Sequence, residues 1–274
     1  MESVTANGTR IPRLGFGTYQ LSPAYTLRTV SHAIEAGYRH IDTAQIYGNE
    51  AEVGAAIEES RVPRSEIFLT TKVWVNNYPP ELFHLSVDES LRKLRTEYVD
   101  LLLLHWPNRD VPLAEQIGSL NQVVKAGKAR AIGLSNFNRA LMRQAVELTD
   151  APLVTNQVEY HPFLDQSVLI EDIRRMGLAV TVHSAMAIGK VFQDPLLLWI
   201  ARERGKSVAQ IVLRWLVQQD GVVALSRTSN VSRLASNAEI FDFELSSGEM
   251  SSIHSLARPD GRYVSHPGLS PVWD

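Results

Sequence analysis

The stretch RHIDTAQIYGNE (39–50) decides the fold of this chain. Its first residues, 39–43, form a short strand-like segment that contains Asp42, and Tyr47 follows five residues after Asp42, just before a segment of helical character. Side chains at the carboxyl ends of parallel strands meet at one end of a (β/α)8 barrel, where such barrels carry their active sites. A carboxylate at this place therefore predicts a functional site.

Two later runs repeat the arrangement. IFLTTKV (67–73) carries Lys72 near its end, and YVDLLLLH (98–105) ends at His105. The leucines of the second run do not alternate with polar residues, which is typical of parallel strands covered on both faces. We expect Asp42, Tyr47, Lys72 and His105 to come together at one end of the sheet.

Strand-like and helix-like segments alternate along the chain. The predicted strands are 14–19, 39–43, 67–73, 98–105, 129–135, 153–159, 178–184 and 222–226, and the predicted helices between them are 25–36, 49–60, 81–94, 113–126, 138–148, 166–176 and 194–219. The last of these helices is expected to break around Gly205. Eight such units indicate an α/β fold, either a closed (β/α)8 barrel or a doubly wound sheet. A Rossmann-type sheet is disfavoured, because no GxGxxG motif precedes the first helix.

The two ends of the chain lie outside this alternation. Asn7-Gly8 between two short extended segments predicts an N-terminal β-hairpin with a type I′ turn. Two more helical stretches, 231–241 and 245–257, follow the last strand. The remaining tail, 258–274, is rich in Gly and Pro, and we expect it to fold over the barrel mouth.

Composition narrows the class of protein. The chain has 274 residues, 45% of them hydrophobic, and a formal net charge of −3, which together predict one barrel domain over 1–274. The absence of cysteine excludes disulfides, thiolate metal sites and a cysteine nucleophile. No signal-like or membrane-length apolar run is present. We therefore expect a cytoplasmic protein with no membrane or nucleic-acid partner.

The four polar residues suggest proton chemistry. A tyrosine titrates near 10 in water, so it is a poor acid–base group unless its phenolate is stabilised. The candidate for stabilising the phenolate is the Lys72 ammonium, which Asp42 would keep charged. Lowering the pKa of Tyr47 by about three units would need about 4 kcal/mol of such stabilisation. His105 can donate a hydrogen bond to a substrate oxygen. Such a group protonates a carbonyl, or deprotonates an alcohol, while another group moves a hydride.

Seven motifs, in order along nearly the whole chain, resemble those of the aldo-keto reductases, NADPH-dependent oxidoreductases with a (β/α)8 barrel. They are LGFGTYQ (14–20), GYRHIDTAQIYGNEAEVGAAI (37–57), LTTKVW (69–74), LRTEYVDLLLLHWP (94–107), AIGLSN (131–136), NQVEYHP (156–162) and FDFELS (241–246). With its ending GRYVSHPGLSPVWD (261–274), the chain is most similar to the short bacterial members described as 2,5-diketo-D-gluconate or methylglyoxal reductases.

The resemblance implies a role for each matching residue. Tyr47 would be the general acid in carbonyl reduction, Lys72 and Asp42 would lower its pKa, and His105 would orient the carbonyl. The implied cofactor-binding residues are Gly17 and Thr18 at the cleft floor, Ser135, Asn136 and Gln157 at the nicotinamide carboxamide, His183 on the nicotinamide ring, Ala185, Met186, Gly189 and Lys190 at the pyrophosphate, and Arg227, Thr228, Arg233 and Asn237 at the adenosine 2′-phosphate and adenine.

Two of these positions depart from the family pattern. The family usually has Tyr or Trp where this chain has His183, and a histidine can titrate near neutrality. We therefore expect the affinity for NADPH to change between about pH 6 and 8 as His183 changes charge. Arg227 stands where the family has lysine, and its planar guanidinium can grip a phosphate with two hydrogen bonds. Together with Arg233 it favours NADPH over NADH.

Short connections at 107–112 and 184–195 imply an open, shallow substrate pocket, which suits small aldehydes, dicarbonyls and keto-sugars. The residues expected to line it are Tyr19, Trp74, Trp106 and Trp273. By resemblance alone we expect a monomer.

Two other classes of function remain open. The first is a non-catalytic cofactor-binding or regulatory barrel, which would have no need to keep all four polar residues. The second is a metal-dependent barrel hydrolase. Such a hydrolase needs clustered ligands such as His-x-His at the end of the first strand, and LGFGTYQ (14–20) has none. We predict no metal site.

Overall fold

The computed structural model describes residues 2–274, which form ten strands and ten α-helices. The strands are β1 Ser3–Ala6, β2 Thr9–Pro12, β3 Leu14–Gly17, β4 His40–Asp42, β5 Phe68–Val73, β6 Val99–Leu104, β7 Ala129–Ser135, β8 Leu153–Glu159, β9 Ala179–His183 and β10 Val222–Ser226. The helices are α1 Pro23–Glu35, α2 Glu50–Glu59, α3 Pro80–Leu94, α4 Leu113–Lys125, α5 Arg139–Leu148, α6 Ser167–Arg175, α7 Pro195–Arg204, α8 Val208–Val217, α9 Leu234–Ala238 and α10 Ser247–His254.

Strands β3 to β10 close into an eight-stranded parallel barrel. Each strand pairs with the next along the chain, and β10 closes the ring by pairing with β3. The register sets Gly17 beside Asp42 and Glu159 beside His183, so the carboxyl ends of the strands lie at one level. The predicted (β/α)8 barrel is confirmed, and the doubly wound alternative is wrong because the sheet has no edges.

The N-terminal hairpin covers the opposite end of the barrel. Asn7 and Gly8 have φ values of 42° and 82°, as the predicted type I′ turn requires. Val4 and Ile11 from the hairpin belong to an apolar cluster with Leu101 and other residues from the barrel interior. Burying these side chains removes apolar area from water and holds the hairpin in place.

The predicted helix break and the helices after the last strand are also confirmed. Gly205 takes a left-handed conformation (φ 61°) at the end of α7, and Ser207 and Gln210 form a capping box that starts α8. The predicted helix 231–241 is shorter than expected, since a 3₁₀ turn, Val231–Arg233, precedes the five-residue α9. No helix in residues 2–274 is long and apolar enough to cross a membrane.

The C-terminal tail crosses the carboxyl ends of the strands, as predicted. Glu159 at the end of β8 accepts hydrogen bonds from the backbone N–H groups of Tyr263 (2.8 Å) and Val264 (3.0 Å). Further along, the Asp274 carboxylate accepts one from the backbone N–H of Arg139 at the start of α5 (2.9 Å). The tail therefore forms one wall of the barrel mouth.

Candidate active site

Asp42 and Lys72 form a buried ion pair at the carboxyl ends of β4 and β5. Lys72 Nζ lies 2.5 Å from Asp42 Oδ1 and donates a second hydrogen bond to the carbonyl of Thr43 (2.9 Å). The other Asp42 oxygen accepts a hydrogen bond from Gln157 Nε2 (2.8 Å). A buried ion pair is stable only when its attraction and further hydrogen bonds offset the cost of removing both charges from water. These hydrogen bonds therefore fix the geometry of Asp42 and Lys72.

Tyr47 reaches the pair from a 3₁₀ turn, Gln45–Tyr47, that directly follows β4. Gln45 anchors this turn, because its side-chain oxygen accepts a hydrogen bond from the backbone N–H of Trp74 (2.9 Å). The Tyr47 hydroxyl lies 3.4 Å from Lys72 Nζ. The phenol therefore stands at the inner end of the mouth, against the ion pair.

The electrostatics at Tyr47 correct the expectation from the sequence. Burial, and next the Asp42 carboxylate, raise the pKa of Tyr47 well above 10, whereas Lys72 was expected to lower it. Asp42 neutralises most of the charge of Lys72, and burial disfavours the phenolate. Burial also lowers the pKa of Lys72, against the effect of Asp42. Tyr47 therefore holds its proton firmly at neutral pH.

His105 lies immediately after β6, with its ring edge-on to Tyr47 at a centroid distance of 5.6 Å. Burial, and next the charge of Lys72, lower the pKa of His105 well below 6.5, so the imidazole is neutral. Neither ring nitrogen forms a hydrogen bond within residues 2–274, and only Nδ1 is fully buried. A neutral imidazole can donate a hydrogen bond at Nε2 without giving up its proton.

Ser135, Asn136 and Gln157 form a polar cluster beside the ion pair. Both amide protons of Asn136 are in use, one on the carbonyl of His105 (3.1 Å) and one on Ser135 Oγ (3.0 Å). The Ser135 hydroxyl proton, one lone pair of Asn136 Oδ1 and the Gln157 side-chain oxygen have no partner within residues 2–274. One donor and two acceptors are the complement of a primary amide, which has one carbonyl and one NH₂ group.

His183, at the end of β9, faces this cluster. Its Nε2 lies 2.9 Å from Asn136 Oδ1, and its Nδ1 lies 3.0 Å from Ser184 Oγ. Burial lowers the pKa of His183 to about 4, more than the Glu159 carboxylate raises it. The ring is therefore neutral between pH 6 and 8, and the expectation that it changes charge in that range is wrong.

The positively charged residues predicted to bind phosphates differ in their surroundings. Arg227 donates to the carbonyls of Tyr19 (3.0 Å) and Gln20 (2.8 Å), so two of its five N–H donors already hold the loop after β3. Lys190 and Arg233 are exposed and form no ion pair in the part of the chain described. These two cations are accessible to an anion.

The remaining residues predicted on the cofactor side lie at strand ends or in the following loops. Thr18 is buried, and its hydroxyl donates to the carbonyl of Asp42 (3.2 Å), so it links the residues at the ends of β3 and β4. Asn237 donates to Ser226 Oγ (3.3 Å). Of the others, Gly17 ends β3, and Thr228 lies two residues after β10. Ala185, Met186 and Gly189 lie in the segment between β9 and α7.

Aromatic rings line the mouth around Tyr47 and His105. Tyr19 lies 5.1 Å from Tyr47, and Trp74 lies 5.3 Å from His105, both between ring centroids. Trp273 packs under the guanidinium of Arg262 (3.7 Å).

Sequence reasoning missed one ring of this wall, that of His266 in the C-terminal tail. It lies 5.8 Å from the ring of Trp74 and 6.0 Å from that of Trp106. The expectation that the tail covers the mouth was the only signal in the sequence that pointed to it.

Comparison with known proteins agrees with the fold. Residues 13–258 match the Aldo/keto reductase family. Methylglyoxal reductase DkgB of Yersinia pestis is 40% identical over 96% of this chain and 99% of its own length. A crystal structure of a proposed 2,5-diketo-D-gluconic acid reductase B is 57% identical, with a TM-score of 0.99 over 100% of this chain and 98% of that one. The aldose reductase of Schistosoma japonicum is 31% identical, with a TM-score of 0.89 over 95% of this chain and 94% of its own. The chain therefore belongs to the aldo/keto reductase family.

Proposed function

We propose that this protein is an NADPH-dependent carbonyl reductase that converts small aldehydes, dicarbonyls or keto-sugars to alcohols. The observation that carries the proposal is the pairing of a firmly protonated phenol, Tyr47, with a neutral imidazole, His105, at the bottom of an aromatic pocket. The names of the relatives, a methylglyoxal reductase and a proposed diketogluconic acid reductase, support this substrate class.

In this reaction Tyr47 is the general acid. When bound, NADPH would provide the hydride that the carbonyl carbon needs. The Tyr47 hydroxyl gives its proton to the carbonyl oxygen. The O–H bond of Tyr47 breaks as the alcohol O–H forms. The phenolate that remains lies 3.4 Å from the Lys72 ammonium, which stabilises it. The ion pair with Asp42 holds Lys72 in position beside Tyr47.

His105 positions the carbonyl. Its exposed Nε2 donates a hydrogen bond to the same oxygen that Tyr47 protonates. Two donors that converge on the developing negative charge stabilise the transition state more than the ground state. Because the pKa of His105 lies well below 6.5, it acts as a neutral hydrogen-bond donor and not as a second acid.

The polar cluster fits the nicotinamide end of the cofactor. The free hydroxyl proton of Ser135 suits the carboxamide oxygen, and the free acceptors on Asn136 and Gln157 suit its NH₂ group. At the other end of the cleft, Lys190 and Arg233 are available to bind phosphates. The two Nη1 hydrogens of Arg227 have no partner within residues 2–274, so they can also bind a phosphate. This excess of positive charge favours the 2′-phosphate of NADPH over NADH.

The test compares Tyr47→Phe with Tyr98→Phe. The second variant also loses one phenolic hydroxyl, but at the opposite end of the barrel. Oxidation of NADPH by methylglyoxal and by 2,5-diketo-D-gluconate is followed together with NADPH binding. Tyr47→Phe should lower kcat by about 10²- to 10⁴-fold and leave the dissociation constant of NADPH nearly unchanged. Tyr98→Phe should behave as the unmodified protein does.

Three results would contradict the proposal in whole or in part. Undiminished turnover in Tyr47→Phe would remove the assigned acid. Tight NADPH binding without turnover of methylglyoxal or 2,5-diketo-D-gluconate would favour the alternative of a non-catalytic cofactor-binding barrel. A catalytic efficiency with NADH comparable to that with NADPH would contradict the assigned cofactor alone.

A further inference from the structure

One chain of hydrogen bonds joins His183 to the main chain of His105 through a single amide. His183 Nε2 lies 2.9 Å from Asn136 Oδ1, and Asn136 Nδ2 donates to the carbonyl of His105 (3.1 Å). The chain links the ends of β9 and β6, strands that are not neighbours in the barrel. Asn136 lies between them, in a left-handed conformation (φ 62°) that a non-glycine residue seldom adopts.

The chemistry of the partners fixes the proton on His183. A main-chain carbonyl only accepts, so the NH₂ group of Asn136 must face His105 and its oxygen must face His183. His183 Nε2 must therefore carry a hydrogen. Since the ring is neutral, Nδ1 is bare and accepts from the Ser184 hydroxyl (3.0 Å). The ring is thus held at both nitrogens.

We propose that His183 is a positioning residue whose Nε2–H fixes the Asn136 amide and thereby organises the site for a primary amide ligand. An amide oxygen accepts two hydrogen bonds, so Asn136 keeps one lone pair for the ligand while it holds His183. Both protons of the amide are already committed, so only its oxygen can face the ligand. A ring and an amide that are ordered beforehand cost less conformational entropy on binding.

The part of this inference that concerns the ligand rests on the proposed function, with the nicotinamide carboxamide as the amide. The tautomer does not rest on it. Two separate measurements are therefore needed, one on the protein without cofactor and one with NADPH.

The first measurement is a long-range ¹H–¹⁵N NMR spectrum of the protein without cofactor, in which the two nitrogens of each imidazole report its tautomer. The signal of His183 is identified by its loss in His183→Gln. We expect the neutral Nε2–H form at pH 7. The Nδ1–H form, or a charged ring at that pH, would overturn the proposal whether or not the protein reduces carbonyls.

The second measurement compares two variants by fluorescence titration with NADPH. His183→Phe keeps a ring but removes both nitrogens, whereas the amide nitrogen of His183→Gln can take the place of Nε2 and donate to Asn136. We expect His183→Phe to bind NADPH about five- to tenfold more weakly, as for the loss of one neutral hydrogen bond, and His183→Gln to regain part of that affinity.

The titration also has an internal check. In Asn136→Ala, a further His183→Phe change should have little effect, because the two residues act through one hydrogen bond. NADPH binding to His183→Phe that is as tight as, or tighter than, binding to the unmodified protein would overturn the positioning role. Such a result would leave the proposed carbonyl reduction untouched, since that depends on turnover and on Tyr47.

Discussion

The two ends of the barrel each hold a buried carboxylate, and they differ in what the partners of that carboxylate contact next. At the hairpin end, Asp100 accepts hydrogen bonds from Arg64 (2.9 Å), Arg130 (3.1 Å) and the backbone N–H of Leu69 (3.0 Å). The two guanidinium groups lie against the ring of Tyr98, at 4.4 and 4.0 Å. We call this network closed, because Arg64 and Arg130 both bind the Asp100 carboxylate and both pack on the ring of Tyr98.

At the mouth the corresponding network is open. Lys72 binds Asp42 and then reaches Tyr47, whose hydroxyl donates to no other group within residues 2–274. The backbone there is also strained, because Asn136, Ser184 and Ile188, which all follow strand ends at the mouth, have positive φ. The comparison teaches that a buried charge pair stabilises the fold when its contacts are complete, and supports chemistry when the last group keeps a transferable proton.

The largest expected effect is that of removing the cation at each end. Lys72→Met leaves Asp42 buried without a counter-charge and should lower the free energy of unfolding by about 3–5 kcal/mol. Arg64→Met leaves Asp100 with Arg130 and Leu69, so about 1–2 kcal/mol is expected. Urea unfolding followed by circular dichroism measures both. Only Lys72→Met should also abolish carbonyl reduction.

A double variant sharpens this comparison. Asp42→Asn together with Lys72→Met removes both charges, so it should regain part of the lost stability without regaining activity. Equal destabilisation by Lys72→Met and Arg64→Met would show that the two ends do not differ in the way described.

A second effect should appear as acid sensitivity of the fold. Burial lowers the pKa of His40 and His183 to about 4 and that of His105 well below 6.5. Unfolding restores the ordinary value, so between about pH 6.5 and 4 the unfolded chain binds protons that the folded chain does not. The stability from these neutral histidines is complete above pH 6.5 and is lost as pH falls toward 4, by roughly 1.4 kcal/mol per pH unit for each.

Urea unfolding at a series of pH values measures this slope. His183→Gln removes one of the three histidines. Between pH 6 and 5, the free energy of unfolding of this variant should therefore change less steeply with pH, by roughly 1.4 kcal/mol per pH unit. His254→Gln, the same substitution at an exposed histidine on α10, serves as the matched control. An unchanged slope in His183→Gln would mean that the ring titrates equally in the folded and unfolded chain.

The local sequence pattern predicted the strands and helices of the barrel well, but it did not predict the electrostatics of Tyr47 or the place of His266. The apolar run of β6 and the breaker at Gly205 depend on neighbours in sequence, so both were placed within a residue or two. The direction of the pKa shift of Tyr47 depends on burial and on how fully Asp42 cancels Lys72, which only the folded geometry sets. His266 was missed because it meets Trp74 only in the folded chain, and the two residues lie far apart in the sequence.

A third and smaller effect concerns the pH dependence of catalysis. The raised pKa of Tyr47 keeps its proton in place as pH rises toward 9, and the lowered pKa of His105 keeps that ring neutral as pH falls toward 6. We therefore expect kcat for carbonyl reduction to vary by less than about threefold between pH 6 and 9. Steady-state rates at saturating NADPH measure it. A loss of rate with a midpoint inside this range would show that one of the two groups titrates there.

The smallest effect is expected in the tail. The ring of His266 lies against Trp74 and Trp106 and forms the outer wall of the pocket. His266→Ala should raise KM for methylglyoxal about two- to fivefold, in line with the modest energy of one aromatic contact, and should leave kcat nearly unchanged. His266→Phe keeps the ring and should restore KM. Steady-state kinetics at saturating NADPH separate the two constants.

His254→Ala provides a matched control for the tail. The ring of His254 also packs against a tryptophan, Trp215, at 5.1 Å, but on helices outside the mouth. Its removal should leave KM unchanged. If both alanine variants raised KM equally, the change would reflect a general loosening of the fold. If His266→Ala lowered kcat at constant KM, the tail would act on the chemical step, and the mouth would then include a fifth polar group beside Asp42, Tyr47, Lys72 and His105.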